Sequence, residues 1–394
     1  MRGGSGSEFP VWYNPNSMRL PCGKSHRDAV GALALAAFAC AVITAVPAQK
    51  NKEEETQTLQ LPRELPAAAE GETRRLAFHA TPLSAKGLLS QQVREAMKAL
   101  GRQTRGETVL HIRAFVAGTG DLRRVRDLVS ETFTNRHQPL PALSLVRVGG
   151  LALTGAQVAV ESVAAARKNV NPGGLAFLSP RPAVSGDPLD PVPPLTARAL
   201  AGLRQEVRAA GAQPSDVLQV TCYFSSLENL AASRALVEAE YPRAALGYVQ
   251  TQRAPVQALA ACEAVARLQR DPGVKLRLLN ARDLPAEPGE SQIALVGAPR
   301  LVLTGTQVSF GYQEKDARLA FERIRTSLQQ AGTSERETAY ARYYPLAPAL
   351  AVQVRALRAA YFDASHTPAG FVLLFEGLPS LDSGFAVDVA AVKE

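Results

Sequence analysis

Residues 196–230, TARALAGLRQEVRAAGAQPSDVLQVTCYFSSLENL, decide the fold. Leu200, Leu203, Val207 and Ala210 recur at helical spacing and form one apolar stripe. Gly211 follows, where a left-handed C-cap commonly closes a helix. SDVLQVTCYFSS, residues 215–226, has the β-branched and aromatic content of a strand.

The same order recurs on both sides of this stretch. Upstream, SAKGLLSQQVREAMKALGRQ (84–103) puts Leu88, Leu89, Val93, Met97 and Leu100 on one stripe, closes near Gly101, and leads into the strand ETVLHIRAFVAG (107–118). Downstream, ARLAFERIRTSLQQAGT (317–333), with Leu319, Ile324 and Leu328, leads into RETAYARYYPLA (336–347). A second helical stretch follows each strand, from residues 120, 228 and 347, with Leu122, Leu230 and Leu350 at the same place in each. Each run ends in two β segments, 142–164, 246–266 and 370–392, that read as a hairpin. A period near 110 residues is that of a whole domain, not of a solenoid repeat. The fold class expected is α+β, a sheet with helices on one face, three times over.

GGLAFLSPRPAVSGDP (173–188), the helix–strand stretch 197–230 and the hairpin VQTQRAPVQALAACEAVA (249–266) resemble the RidA/YjgF family, also called endoribonuclease L-PSP or reactive-intermediate deaminases, with a chorismate-mutase-like fold. The resemblance spans roughly residues 72–394. It implies domains over 72–166, 167–271 and 272–394. Family members are homotrimers with ligand clefts between subunits, so it also implies a monomer that is a pseudo-trimer with interdomain clefts. Closed cyclic packing would bury the sheet faces that no helix covers. The implied activity is hydrolysis of enamine or imine intermediates to a keto acid and ammonia. Without it, the architecture would serve as a ligand-binding or scaffold protein. No cofactor or metal is implied, and the partner is a small imine, enamine or other ligand in a cleft.

The family's carboxylate-binding Arg falls on Leu143, Leu246 and Gly370, so that side chain is absent three times. Its acidic residue falls on Ala159, Ala261 and Ala386, with Glu161, Glu263 and Asp388 two residues further on, facing either the cleft or, as expected, a solvated rim. Candidate substrate-binding residues are Ser179, Arg181, Arg243, Tyr248, Arg253 and Glu263. His111 and Arg113 share one strand face, expected to be solvated. Tyr223 and Tyr343 are read as one recurring strand position and as packing.

Composition is that of an ordinary globular chain, 46% hydrophobic and 20% charged. The formal net charge of +8 is scattered, without a dense Lys/Arg run or interleaved aromatics, so nucleic-acid binding is not expected. Residues 29–46, AVGALALAAFACAVITAV, are apolar, follow Arg19, Lys24 and Arg27, and precede Val46-Pro47-Ala48. That layout reads as a secretory signal over 18–48 or as an uncleaved membrane anchor, exporting the rest either way. Residues 1–17 read as a leader or upstream extension, and the Glu- and Pro-rich stretch 49–71 as a disordered linker. Cys222 and Cys262 lie in apolar strands and read as small buried hydrophobes rather than a disulfide. The histidines show no metal-site spacing.

Overall fold

Strand alternation and helical stripes assemble here into sheets covered by helices on one face. The computed structural model describes residues 61–286, 289–363 and 367–394, and the readings of 1–17 and 18–48 lie outside them. The chain begins with β1 (Ala68–Glu72), β2 (Leu76–Ala80), α1 (Leu89–Gln103), β3 (Thr108–Ala117), α2 (Leu122–Asn135), β4 (Ala142–Val148), β5 (Gly150–Leu151) and β6 (Val158–Ala165). Next come β7 (Leu175–Leu178), β8 (Ala183–Ser185), α3 (Val192–Ala209), β9 (Val217–Phe224), α4 (Leu230–Glu240), β10 (Ala245–Gln250) and β11 (Ala258–Arg267). Last are β12 (Leu276–Leu279), β13 (Ile293–Val296), β14 (Arg300–Thr304), β15 (Gln307–Phe310), α5 (Glu314–Gln330), β16 (Thr338–Pro345), α6 (Pro348–Tyr361), β17 (Ala369–Val372) and β18 (Ser383–Lys393). No described helix is long and apolar enough to cross a membrane.

The described strands form three sheets, ordered β2-β6-β3-β4, β12-β13-β7-β11-β9-β10-β5 and β1-β14-β18-β16-β17, with β8 on β11 and β15 on β18. Each has the same centre. A long strand (β3, β9, β16) pairs antiparallel with the closing strand (β6, β11, β18) and parallel with the strand after the second helix (β4, β10, β17). The parallel pairing follows from the intervening helix, which returns the chain in the same direction.

On one face of each sheet two helices bury their stripes. Val93, Met97 and Leu100 pack with Val125 and Val129, and Leu200, Leu203 and Val207 with Val237. Phe321, Ile324 and Leu328 pack with Leu350 and Val354. Leu88 departs from its expected stripe. It is the N-cap of α1 and 79% exposed, because the helix begins only at Leu89. Leu319 likewise turns outward at 41% exposure, and Ala320 and Phe321 carry that stripe. Gly211 (φ +74°) and Gly332 (φ +76°) terminate α3 and α5 in the left-handed region. Gly101 instead stays inside α1, and the chain turns at Gly106.

The opposite sheet faces pack on one another. Phe115, Val146, Tyr223, Val249, Tyr344 and Phe371 form one apolar layer from all three sheets, and Leu110, Phe177, Val265, Leu301, Tyr340 and Ala390 form another. Of the stretch read as a disordered linker, residues 49–60 lie outside the described residues, and residues 61–71 are placed against the rest of the fold. β1 adds to the edge of β14, from Ala68 opposite Thr304 to Glu72 opposite Arg300, and Leu65 is buried under α2 and its neighbours. Its Ala- and Glu-rich sequence has little strand propensity, so the open backbone edge of β14 supplies the order. Cys222 and Cys262 are buried as expected but are bonded as a disulfide. They stand directly opposite each other on β9 and β11, with Cα atoms 4.1 Å apart, a cross-strand register that spacing along the chain does not reveal.

Candidate functional site

In the three central strands, one register row carries the charge. Arg113 faces Glu161, Thr221 faces Glu263 and Arg342 faces Asp388. All of these point away from the helices, between the two apolar layers, and are buried apart from the partly covered Arg342. The expected solvated rim of Glu161, Glu263 and Asp388 is therefore wrong, as is the solvated face for His111 and Arg113, which are 6% and 3% exposed. The other two sheets cover these faces.

Buried charges must be paired, and these are. Arg113 donates to Glu161 Oε2 at 2.9 and 2.5 Å, to Thr221 Oγ1 at 2.9 Å, to Tyr223 Oη at 3.0 Å and to Glu263. Arg342 donates to Glu263 at 3.0 Å and Asp388 at 3.3 Å. Tyr340 and Tyr223 donate to Glu263, at 2.7 and 2.8 Å, and Tyr344 and Ser144 donate to Asp388, both at 2.8 Å. Burial acts to raise the Glu263 carboxyl, but Arg113 and Arg342 outweigh it and hold it down to about 2. His111, 3.0 Å from Ser144, is pushed down to about 4, chiefly by burial. A cavity of about 30 Å³ beside His111, Gln219 and Arg342 has room for one water. This layer joins the three sheets, and one of its acids, Glu161, also lines a cleft beside Gly247 and Tyr248.

Tyr223 matches Tyr344, not Tyr343. Both strands start directly after a single 3-10 turn, and counting from it brings Tyr223 opposite Ala261 and Tyr344 opposite Ala386. Tyr343 faces the helices, 5.0 Å from Arg358.

One place back, on the parallel neighbour strands, Leu143 stands beside Ile112, Leu246 beside Val220 and Gly370 beside Ala341. Their surroundings differ. The turn after β14 lies on Leu143: Thr306 N donates to its carbonyl at 3.2 Å, and a Cβ on Gly305 would meet that oxygen at 2.5 Å. Gly370 N donates to Ser179 Oγ at 2.6 Å. With φ at +152° and Ala341 O 1.9 Å from any added Cβ, this position excludes every side chain. Leu246 instead lines a cleft of about 360 Å³, which runs from Thr81, Pro82 and Leu83 to Tyr248 and to Arg234 and Glu238 of α4.

Among the expected binding residues, Tyr248 lines this cleft. Ser179 closes on Gly370, and Glu263 lies in the central layer. Arg181 donates to Pro285 O, Arg243 is exposed on a turn, and Arg253 pairs with Glu376 at 2.9 Å, so the structure does not bring these three together at the cleft. Sequence reasoning missed Arg234 and Glu238. Their spacing of four on a helix reads as an ordinary surface pair, and only the turn after β2 turns that surface into a wall. Among the described residues, no group of three or more His, Cys, Asp or Glu is placed to hold a metal ion.

No protein-family model matches the chain, and no curated protein matches it. Similar solved structures include Rid/YjgF-family proteins. One is a Rid-family protein of unknown function from Yersinia pestis (16% identity, TM-score 0.29, covering 30% of this chain and 100% of that one). Another is a YjgF-family member from Mycobacterium tuberculosis (19%, 0.23, 24% and 79%), and a third is one from Neisseria meningitidis (16%, 0.23, 30% and 95%).

Proposed function

We propose that residues 72–166, 167–271 and 272–394 are three RidA-type domains forming a pseudo-trimer within one chain. In this reading the chain binds one small ligand, in the Leu246 cleft, without the family's deaminase chemistry. The carrying observation is the unequal fate of Leu143, Leu246 and Gly370, which hold the same register place. Two are shut by hydrogen bonds with neighbouring segments, Thr306 N donating to Leu143 and Gly370 N donating to Ser179, and one borders free volume. A cleft of this size with mostly apolar walls and a few polar groups is a usual form of small-molecule site. Export through residues 18–48 belongs to the same reading.

The test is titration of the full chain with a neutral naphthalene-based fluorescent probe. One site per chain, lost in Leu246→Trp, supports the reading; three sites, or binding indifferent to Leu246→Trp, refutes it. Enamine/imine deamination is the second reading, favoured by Arg234 at the cleft as a replacement for the missing Arg. It requires ammonia release above the spontaneous rate from an enamine generated in situ, with a family deaminase as the active control.

A further inference from the structure

With Glu161 already held by Arg113 and Thr221, two charges of the cleft are left unexplained, Arg234 and Glu238. Arg234 and Glu238 lie one helical turn apart on α4, 2.8 Å from Nη2 to Oε1, with side chains 47% and 46% exposed. An exposed pair of this spacing is held only weakly, so either charge readily exchanges its partner for a better one. Beside them Tyr248 is only 8% exposed, and its hydroxyl, which Arg234 approaches as a donor, has no acceptor for its own proton. The Arg234 guanidinium lies 5.5 Å from the centre of its ring. A buried hydroxyl left unsatisfied is costly, and a ligand acceptor held by Arg234 would relieve it. Leu83, Phe115, Leu153 and Leu246 supply the apolar wall.

Resting on the reading that this cleft binds a ligand, the geometry points to a free α-amino acid with a bulky apolar side chain as its occupant. The carboxylate accepts from Arg234 and Tyr248 Oη, the ammonium donates to Glu238, and the side chain lies among Leu83, Phe115, Leu153 and Leu246. The two charges of an α-amino acid are separated by one carbon, which suits a cation and an anion already in contact. A ligand with only a carboxylate leaves Glu238 facing it unpaired, and one with only an amine does the same to Arg234, so the pair selects against both.

Calorimetric titration of the full chain with L-phenylalanine, 3-phenylpropanoate, 2-phenylethylamine and benzyl alcohol tests this. L-phenylalanine is expected to bind one per chain, at least about tenfold more tightly than each of the others. Arg234→Gln is expected to bring it level with 2-phenylethylamine, and Glu238→Gln level with 3-phenylpropanoate. Unchanged thermal melts of these surface variants show that the fold is intact. If the four compounds bind within about threefold of one another and Leu246→Trp abolishes all of it, the cleft stands and the amino-acid assignment falls. Preference for L-phenylalanine that survives both variants also overturns the assignment. No saturable binding by any of the four overturns the cleft reading itself.

Discussion

Arg113→Leu removes a guanidinium 3% exposed that serves two carboxylates, a threonine and a tyrosine at once. Leu keeps the apolar stem but none of the five donors. Glu263 retains Arg342, Tyr340 and Tyr223, whereas Glu161 is left with the Thr221 hydroxyl at 2.8 Å. Breaking one buried pair costs about 3–5 kcal/mol. With two acids affected, the upper end applies, a fall of roughly 6–7 °C in melting temperature for a chain of this size. The pH dependence gives a second, independent check. Glu263 is held to about 2, below its unfolded value, so its contribution is present above about 4.5 and is lost as pH falls through 2. The deficit of the variant should therefore be greatest near pH 7 and shrink as protonation relieves the stranded acids. Urea unfolding followed by circular dichroism at pH 7 and pH 3.5 measures both. A loss below about 1 kcal/mol at pH 7, or an equal loss at both pH values, refutes the view that this guanidinium holds the layer together.

His111 is pushed down to about 4 from 6.5, so the folded state refuses a proton that the unfolded chain takes up. Acidification from pH 6.5 to 4 should cost up to roughly 3 kcal/mol through this group, and urea midpoints of His111→Gln should flatten over that window. Glu206 is 0% exposed with both carboxyl oxygens unpartnered, and burial pushes it well above its usual range. With the folded value raised, stability falls as pH rises above about 4.5. Glu206→Leu should raise the thermal midpoint by the equivalent of about 1–3 kcal/mol, more at pH 8 than at pH 5; a destabilised variant at pH 8 contradicts this. Cys222→Ala with Cys262→Ala opens a link between residues 40 apart and should cost about 4 kcal/mol by loop entropy. A variant as stable as the oxidised protein in non-reducing urea titration would show that the bond restrains nothing.

Helix positions were legible because a stripe such as Leu200, Leu203 and Val207 needs only one sheet beneath it. The central layer was not, and the reason is geometric. Alternation along β3 tells which residues share a face with His111 and Arg113, yet a polar face on a strand ordinarily meets water, and nothing local announces two further sheets above it. The disulfide depends on the register between β9 and β11, which a gap of 40 residues leaves open. β1 was missed because its order comes from a strand more than 200 residues away. Arg234 reached the cleft for a similar reason, as its opposite wall is the turn after β2. The Leu143, Leu246 and Gly370 places could be aligned along the chain, but whether each faced a cavity or a closed turn rested on Ser179, Gly305 and Thr306 from other sheets.

Thr221 occupies the register place that Arg113 and Arg342 hold in the other sheets. Were the three sheets contributed by identical molecules, one codon change would act at every place together. Three threonines would leave the acids without a cation, and three arginines would crowd three guanidiniums into one buried layer. A single polypeptide escapes that coupling. Each position is set by its own codon, so two cations can serve three acids, and one of three matching places can border a cleft while the other two are closed.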